Sequence, residues 1–233
     1  MELSPVAQDY LKAIYHLEDE HARPVRTVEI ADAVGVTSPS VTNMVETLDE
    51  HGLVEYTPYK GVELTEAGET VVLNLVRKHR LLETFLTECL DVPWTDVHRE
   101  ADHLEHHLSD ELAERLVDFL GEPATDPHGD PIPDTDLVVA DRRSYTPLTE
   151  YEVGETVVVE RVPHRDRDVR EHLFENGLEP GTKLSLEAVT PVGIVEVVPD
   201  DVDNLVAIPT QVARRIGARA ISRGETGLDE SNL

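Results

Sequence analysis

The chain has 233 residues, with 48 acidic against 20 Lys and Arg, and a formal net charge of −28. This length suits two or three small domains, and a single cysteine excludes an internal disulfide framework and is consistent with a reducing compartment. No run approaches 18 apolar residues and no signal-peptide pattern opens the chain, so the sequence predicts a soluble cytoplasmic protein with no membrane contact.

Residues 1–64 predict a winged helix-turn-helix DNA-binding domain. The predicted elements are helices over residues 4–20, 27–34 and 37–51 and β-rich segments over residues 53–56 and 61–64. Ser4 is a suitable N-cap with Pro5 in the first turn, and Gly52 follows the third helix as a stop signal. The order of helix, helix–turn–helix and two-stranded wing is typical of this domain.

Residues 65–140 predict a helical domain. Its helices are expected over residues 65–90, 94–109 and 110–120, with a break at Asp91-Val-Pro. Cys89 lies in an apolar-periodic run and is predicted to be a core residue. The apolar stripe of the second and third helices is Trp94, Val97, Ala101, Leu104, Leu108 and Leu112. Residues 121–136 hold four Pro and two Gly, so residues 121–150 are predicted to include a linker.

Residues 151–223 predict an SH3-like small β-barrel, and residues 224–233 a flexible tail. Strands are expected over residues 156–160, 183–187, 193–198 and 205–208, with a short helix over residues 168–177. The predicted fold class is therefore an α+β multidomain protein with a winged helix-turn-helix, an α-helical domain and an SH3-like barrel.

The start of the third helix carries short polar side chains that suit contacts with a DNA major groove. The candidate DNA-binding residues are Thr37, Ser38, Pro39, Ser40, Thr42 and Asn43, together with Lys60 in the wing. Residues 33–45 and 56–62 contain no acid, as a surface that meets phosphate requires. The alternative interpretation is a trihelical unit that serves protein contacts alone.

The acidic residues are spread along the chain, which favours a halophilic surface adapted to a salt-rich cytoplasm. At molar salt the screening length falls to about 3 Å. The alternative interpretation is an acidic domain that binds cations or basic partners.

Four ligand-type side chains lie close together on the helix over residues 94–109. His98, Asp102, Glu105 and His106 have offsets of 0, 4, 7 and 8, which fall within roughly 80–100° of each other on an α-helix. His79 and Glu83 form a second pair at offset 4. The pattern predicts a cation site between two helices, against the alternative of a solvated acidic face.

The chain resembles the diphtheria toxin repressor / manganese transport regulator family of metal-dependent repressors. The stretches that carry the resemblance are Asp9-Tyr-Leu-Lys-Ala-Ile-Tyr-His-Leu17, Ile30-Ala-Asp-Ala-Val-Gly-Val-Thr-Ser-Pro-Ser-Val-Thr42, Arg77-Lys-His-Arg-Leu-Leu-Glu83 and His98-Arg-Glu-Ala-Asp-His-Leu-Glu-His106. A further stretch, Asn176-Gly-Leu-Glu-Pro-Gly-Thr182, resembles the SH3-like, FeoA-type third domain of longer members.

The resemblance implies a homodimer that binds double-stranded operator DNA and holds two cation sites per subunit. The implied primary site is Asp9, Asp102, Glu105 and His106. The implied ancillary site is His79, Glu83 and His98, to which the third domain can add donors, here Glu171 and His172. No small organic ligand is expected.

This chain departs from the family pattern at positions that bear on which metal it binds and how many ions. Asp9 and Asp102 stand where iron-type members carry sulfur ligands, and hard oxygen donors favour Mn(II) over Fe(II), which stays the alternative. Lys12 stands where manganese-type members place another carboxylate, which argues against a binuclear manganese site.

The predicted function is a metal-dependent transcriptional regulator of metal-ion homeostasis, a repressor by the family's usual mode. Two rivals are a metal-independent winged-helix regulator and a metallohydrolase. A hydrolase is disfavoured because the sequence has no HExxH motif, no Gly-rich phosphate loop and no paired nucleophile.

Overall fold

The computed structural model describes residues 3–21, 24–139, 145–163, 167–200, 202 and 204–221. The chain divides into two compact units, the first with Met1–Phe85, Arg99–Pro123 and Ile132–Val139, the second with Leu86–His98, Ala124–Pro131 and Ala140–Leu233. The predicted tail over residues 224–233 lies outside the described residues. None of the helices in the described part of the chain has the length and apolar character that a bilayer crossing requires.

The N-terminal part of the first unit is a winged helix-turn-helix domain. Its elements are α1 (Pro5–His21), α2 (Thr27–Val34), α3 (Ser38–Glu50), β1 (Val54–Thr57) and β2 (Gly61–Leu64). The three helices enclose a core that includes Leu11, Ile14, Ile30, Val41 and Val45, all fully buried. This apolar cluster holds α3 by one face and leaves the other face in solvent.

Local signals set the turn and the wing. Gly35 ends α2 in the left-handed conformation at φ 73°, where a side chain would be strained. Pro39 sits in the first turn of α3, where its missing N–H costs nothing. β1 and β2 pair antiparallel, and Val62 of β2 exchanges backbone hydrogen bonds with Val25 ahead of α2.

Three helices follow the wing, namely the long helix α4 (Glu66–Leu90), α5 (Val97–Leu104) and α6 (Asp110–Leu120). Residues 66–85 of α4, residues 99–104 of α5 and all of α6 belong to the first unit. Thr65 caps α4 by accepting the N–H of Gly68, and Ser109 caps α6 by accepting the N–H of Leu112. A small core of Leu81, Leu82, Ala101, Leu108 and Ala113 joins the three helices.

The helix that carries the candidate ligands is shorter than predicted. α5 ends at Leu104, and Glu105–His107 form a 3₁₀ turn instead of continuing the α-helix. A 3₁₀ turn advances 120° per residue instead of 100°, so Glu105 and His106 do not continue the arc that an α-helix predicts.

Three predicted core positions are wrong. Leu104 and Leu112 are 44% and 49% exposed, and Cys89 is exposed near the end of α4. Trp94 is buried, but it belongs to the core of the second unit and not to a stripe along α5. Its Nε1 donates to the carbonyl of Pro127, and its ring stacks on Phe174.

The second unit is organised around a six-stranded antiparallel sheet with strand order β3-β8-β4-β5-β6-β7. Its elements are β3 (Thr146–Pro147), β4 (Thr156–Arg161), α7 (Arg167–Glu175), β5 (Lys183–Val189), β6 (Ile194–Pro199), β7 (Val206–Pro209), α8 (Thr210–Ala213) and β8 (Gly217–Ala220). Alternate residues of β4, β5 and β6 point into one apolar core, as the alternating burial of these strands shows. This is the small β-domain that the sequence predicts after residue 150.

Part of the stretch over residues 121–150 is folded onto this sheet. The carboxylate of Asp126 accepts the N–H groups of His128 and Asp130 and closes a tight turn. Val162 donates its N–H to the carbonyl of His128, and a Cβ at Gly129 would come within 1.9 Å of the carbonyl oxygen of Glu160. The turn therefore packs directly against the end of β4.

Candidate metal centre and DNA-binding surface

Three ligand-type side chains meet between α1 and the 3₁₀ turn. Asp9 comes from the second turn of α1, while Glu105 and His106 come from the turn that ends α5. Each offers one ligand atom within 4.8 Å of the others, and His106 Nε2 lies 3.1 Å from Asp9 Oδ1. Glu105 is buried and the Asp9 side chain is half exposed, so this group opens to solvent on the side of α1.

Gln8 orients the imidazole of His106. Its Oε1 lies 2.6 Å from His106 Nδ1, which donates to it in the tautomer that leaves Nε2 with a free lone pair. Nε2 is the nitrogen that faces Asp9. A metal-binding histidine is commonly held this way, by a hydrogen bond to its other nitrogen.

A second group shares Glu105 with the first. His79, Asp102 and Glu105 also offer ligand atoms within 4.8 Å of one another. The ammonium of Lys12 lies among them, with Nζ 2.9 Å from Asp102 Oδ1, 3.0 and 2.8 Å from the two oxygens of Glu105, and 3.1 Å from His79 Nδ1. Here a cation from the chain itself contacts three candidate donors.

Burial and the short distances between charged groups shift the pKa values of three side chains in the candidate metal centre. Burial raises the pKa of Asp9, although His106 works in the opposite direction. Burial works to lower the pKa of Lys12, but Glu105 and Asp102 outweigh it and raise the pKa above its ordinary value. Burial and Lys12 both work to lower the pKa of His79, and Glu83 and Glu105 outweigh them and raise it to about 9.

A charged His79 uses both ring nitrogens as donors. Nε2 lies 2.9 Å from Glu83 Oε1, and Nδ1 lies 2.5 Å from Glu105 Oε2. Lys12 Nζ lies 3.1 Å from the same Nδ1, which accepts from Lys12 when it carries no proton and donates to Glu105 when it does.

The structure divides the four predicted primary metal ligands between two groups of side chains. Asp9, Glu105 and His106 form one group, whereas Asp102 joins His79 and Glu105 around Lys12. The position of Lys12 inside the cluster was not predicted, and neither was Gln8. Helical spacing indicates only that Lys12, three residues after Asp9, shares a face of α1 with it. Gln8 is adjacent to Asp9, and adjacent helix residues do not share a face, so spacing gives no signal for its contact with His106.

The predicted ancillary residues fall in different units. His79 and Glu83 lie one turn apart on α4 in the first unit, while His98 belongs to the second. Glu171 and His172 lie on α7 in the second unit, where Glu171 pairs with Arg167 and His172 lies beside Asn176. Among the described residues, neither belongs to a group of three ligand-type side chains.

The candidate DNA-binding residues form an exposed polar surface at the start of α3 and in the wing. Thr37, Ser38, Pro39, Ser40 and Asn43 are exposed, and Thr42 is half-buried. Some of the hydroxyls already have partners, since Thr37 and Ser40 hydrogen-bond each other and Thr42 donates to the carbonyl of Ser38. Lys60 is exposed in the turn between β1 and β2, next to a fully exposed Tyr59.

Comparison with known families covers nearly the whole described chain. Residues 2–62 match the iron dependent repressor N-terminal DNA binding domain, and residues 65–134 match the iron dependent repressor metal binding and dimerisation domain. Residues 146–220 match the FeoA domain. All three domains occur in the order that the resemblance implies.

Individual relatives and solved structures support the same family. The iron-dependent repressor IdeR of Mycobacterium tuberculosis (strain ATCC 25618 / H37Rv) is 32% identical over 226 residues, covering 92% of this chain and 97% of that protein. The HTH-type transcriptional regulator MntR of Geobacillus kaustophilus (strain HTA426) is 38% identical over 106 residues, 46% of this chain and 74% of that protein.

Among solved structures, a manganese-dependent transcriptional repressor in complex with manganese superposes with a TM-score of 0.82 at 34% identity, covering 92% of this chain and 100% of that one. The manganese regulator SloR gives a TM-score of 0.78 at 30% identity, covering 94% and 100%. The chain therefore belongs to the iron-dependent repressor family, which includes the diphtheria toxin and manganese transport regulators, and is a metal-dependent DNA-binding transcriptional regulator, not an enzyme.

Proposed function

We propose that this regulator is a cytoplasmic, manganese-responsive repressor in which a divalent cation at Asp9, Glu105 and His106 ties the DNA-binding domain to the helical dimerisation segment. The single observation that carries the proposal is the meeting of α1 and the 3₁₀ turn at these three side chains. Asp102 completes the set predicted from the family.

The donor chemistry supports Mn(II), with Fe(II) as the alternative. Two carboxylates and one imidazole, without sulfur, suit a hard or borderline divalent ion. Zn(II) binds such a site tightly as well, because affinity rises along the series of first-row metals, so selectivity has to come from geometry and metal availability. The half-exposed Asp9 gives an ion access from solvent.

The proposed activation is a linkage between cation binding and the angle of the DNA-binding domain. Asp9 and Glu105 are both carboxylates, so they repel each other when no divalent cation is bound. A bound divalent cation supplies positive charge that both segments share. Asp9 on α1 and His106 on the 3₁₀ turn then hold the two segments at one angle, which selects the DNA-competent state.

In a two-fold dimer that angle sets the separation of the two α3 helices. Half-sites one turn apart on DNA require a separation of about 34 Å. We assign the base and phosphate contacts to Thr37, Ser38, Pro39, Ser40, Thr42 and Asn43 of α3 and its cap, with Lys60 of the wing on phosphate. An exposed apolar stripe on α6, with Leu112 49% and Phe119 68% exposed, supports a homodimer formed through the helical segment.

The ancillary set of His79, Glu83 and His98, with Glu171 and His172 as added donors, stays a prediction from the resemblance. The buried pair of His79 and Glu83 on α4 supports it, since both are ligand-type residues that face each other at 2.9 Å.

The test is DNA binding by the full chain with and without Mn(II) in molar KCl. Duplexes are first selected from a random-sequence pool with Mn(II) present, and their affinity is then measured with Mn(II), anaerobic Fe(II), Zn(II) and chelator. A coupled two-state regulator gains about 5–150-fold in affinity from its effector. We expect that gain with Mn(II), and we expect Asp9→Ala to lose it while keeping the thermal unfolding midpoint of the metal-free protein.

The matched control is Asp200→Ala, which removes another exposed aspartate from the second unit. It should keep the full response to Mn(II). If Asp9→Ala responds to Mn(II) as the parent chain does, the proposed linkage through Asp9 is wrong.

A further inference from the structure

We propose that Glu18 is a positioning residue for DNA binding, because its carboxylate holds strand β2 of the wing against α1 and so fixes where the tip of the wing meets the DNA backbone. The inference rests on the proposed function, since it explains how the contact of Lys60 with phosphate is directed. It assigns a role to an acidic residue that belongs neither to the candidate metal centre nor to the candidate DNA-binding residues.

The wing needs support from the helices around it. β1 and β2 form a sheet of only two strands, and a two-stranded hairpin is at best marginally stable in water by itself. Its tip carries the exposed Tyr59 and Lys60. The direction in which Lys60 leaves the domain therefore depends on what holds the outer edges of the two strands.

The backbone of β2 directs the N–H of Leu64 away from β1. Val62 exchanges two backbone hydrogen bonds with Val25, at 2.8 and 2.9 Å, so the polar groups of Val62 point to the outer edge of the wing. Alternate residues of an antiparallel strand direct their N–H groups to the same side, and Leu64 follows Val62 by two residues. The N–H of Leu64 meets Glu18 Oε1 at this edge, at 2.7 Å.

The other edge of the wing is held in the same way from α3. Tyr56 of β1 lies opposite Val62, and its N–H donates to Asp49 Oδ1 at 3.1 Å. Of the two carboxylates, Glu18 is the one on the helix that also carries Asp9. It follows Asp9 by nine residues, which is about 14 Å along a helix axis. A cation that fixes α1 at Asp9 therefore also fixes the edge of β2.

Glu18 acts through its acceptor oxygen, and its charge is not required. Burial raises the pKa of Glu18, the N–H of Leu64 works in the opposite direction, and the carboxylates of Glu69 and Glu63 raise it further. A neutral side chain with a carbonyl oxygen at the same place would keep the hydrogen bond and remove the repulsion. Loss of the charge alone favours binding to the DNA polyanion, so a loss of affinity has to come from the position of the wing.

The experiment is a double-mutant cycle between Glu18→Leu and Lys60→Met in the full chain. Affinity for the selected duplex is measured with Mn(II) in molar KCl. Glu18→Gln keeps an acceptor oxygen at the same reach. Glu66→Leu is the control matched in charge, since it removes an exposed carboxylate from the first turn of α4.

We expect Lys60→Met to weaken binding by the parent chain about 2–12-fold, which is the net worth of one hydrogen bond. Glu18→Leu should weaken binding by a similar factor. In the Glu18→Leu background, Lys60→Met should then change the affinity by less than about twofold, because the wing no longer presents Lys60 to phosphate. Glu18→Gln and Glu66→Leu should bind at least as tightly as the parent chain and keep the full effect of Lys60→Met.

The outcomes separate this inference from the proposed function. If Lys60→Met leaves the affinity of the parent chain unchanged, the proposed phosphate contact is wrong and this inference fails with it. If Lys60→Met weakens Glu18→Leu as much as it weakens the parent chain, the proposed function stands and the role of Glu18 is overturned. If Glu18→Leu does not fold, Glu18→Asp takes its place with the same expected and overturning results, since its carboxylate keeps the charge and is one methylene shorter.

Discussion

Glu105 is the residue on which the candidate metal centre depends most. Its side chain is 1% exposed, and Lys12 contacts both carboxylate oxygens. His106 Nε2 lies 3.8 Å from Oε1, and His79 Nδ1 lies against Oε2. A buried carboxylate with this many cationic or potential cationic partners is held in one orientation. The Glu105 carboxylate is therefore oriented before an ion binds, whereas the half-exposed Asp9 on α1 is held only once the ion is bound.

Gln8 gives the first prediction. Gln8→Leu removes the acceptor for His106 Nδ1, so the imidazole is free to turn and Nε2 no longer has a fixed direction. Loss of such a supporting hydrogen bond typically weakens metal binding by about 10–100-fold. We expect that loss in the affinity of the full chain for Mn(II), measured by isothermal titration calorimetry, with little change in metal-free stability.

Gln211→Leu is the control for Gln8→Leu, because Gln211 is an exposed glutamine on α8 in the second unit. Its Mn(II) affinity should equal that of the parent chain. An unchanged affinity in Gln8→Leu would show that His106 keeps its orientation without this hydrogen bond.

The sequence predicts the types of residue in the centre better than their partners. Spacing alone indicates a cation site from two sets of residues, because helical offsets of three and four bring side chains together. The first set is His98, Asp102, Glu105 and His106, and the second is the pair His79 and Glu83. It does not predict that Lys12 binds Asp102 and Glu105, which lie 90 and 93 residues further along the chain. A long flexible side chain can reach several acceptors, and its choice among them depends on tertiary structure.

At the scale of elements, helix existence and order follow from the sequence, while the end of α5 does not. The capping residues Ser109 and Thr65 and the glycines after α2 and α6 mark the boundaries correctly. The apolar periodicity runs past Leu104 without a break, so it predicts one helix to about residue 109. The change to a 3₁₀ turn at Glu105 has no glycine or proline to signal it.

Gly68 gives the second prediction, at the junction of α4 with the wing. A Cβ at this position would stand 1.9 Å from the carbonyl oxygen of Leu53, which is backbone and has little freedom to move. Gly68→Ala should therefore destabilise the chain by more than about 2 kcal/mol through overpacking. Thermal unfolding in molar KCl measures this as a drop of several degrees.

The comparison variant is Gly121→Ala, at the end of α6. Gly121 has a φ of 75°, and a Cβ added there would meet open space, so the substitution costs only the left-handed backbone penalty of about 1–2 kcal/mol. If Gly68→Ala lowers the free energy of unfolding by no more than Gly121→Ala does, then α4 shifts away from Leu53 freely.

At the scale of the whole molecule, the net charge of −28 governs how the chain approaches DNA. Ordinary basic DNA-binding proteins lose about 10³–10⁵ in affinity between 50 and 200 mM salt. Here the overall repulsion is itself screened by salt, while the acid-free start of α3 and the wing make the short-range contacts. We predict an affinity that rises, or falls by less than about tenfold, between 0.2 and 2 M KCl.

The measurement is a binding titration of the full chain with Mn(II) on the selected duplex at several KCl concentrations. The chelator series at each concentration is the control, since it shows the salt effect on metal-free binding alone. A steep loss of affinity with rising salt would contradict this prediction.

Trp94 shows that helical periodicity does not predict which part of the chain buries a residue. Trp94 shares helical spacing with Val97 and Ala101, yet it is buried in the core around β4, β5 and β6. Arg170 of α7 donates to the carbonyl of Thr95 and holds the same short segment. Periodicity reports that a residue is buried, whereas the partner that buries it is decided by contacts between distant parts of the chain.

The exposed thiol of Cys89 offers a practical route to watch this regulator respond. Because the chain contains one cysteine, a maleimide dye attaches at one known position on each protomer, and no residue has to be removed first. Energy transfer between two such dyes in a dimer would then follow the movement of one protomer against the other as cation is added.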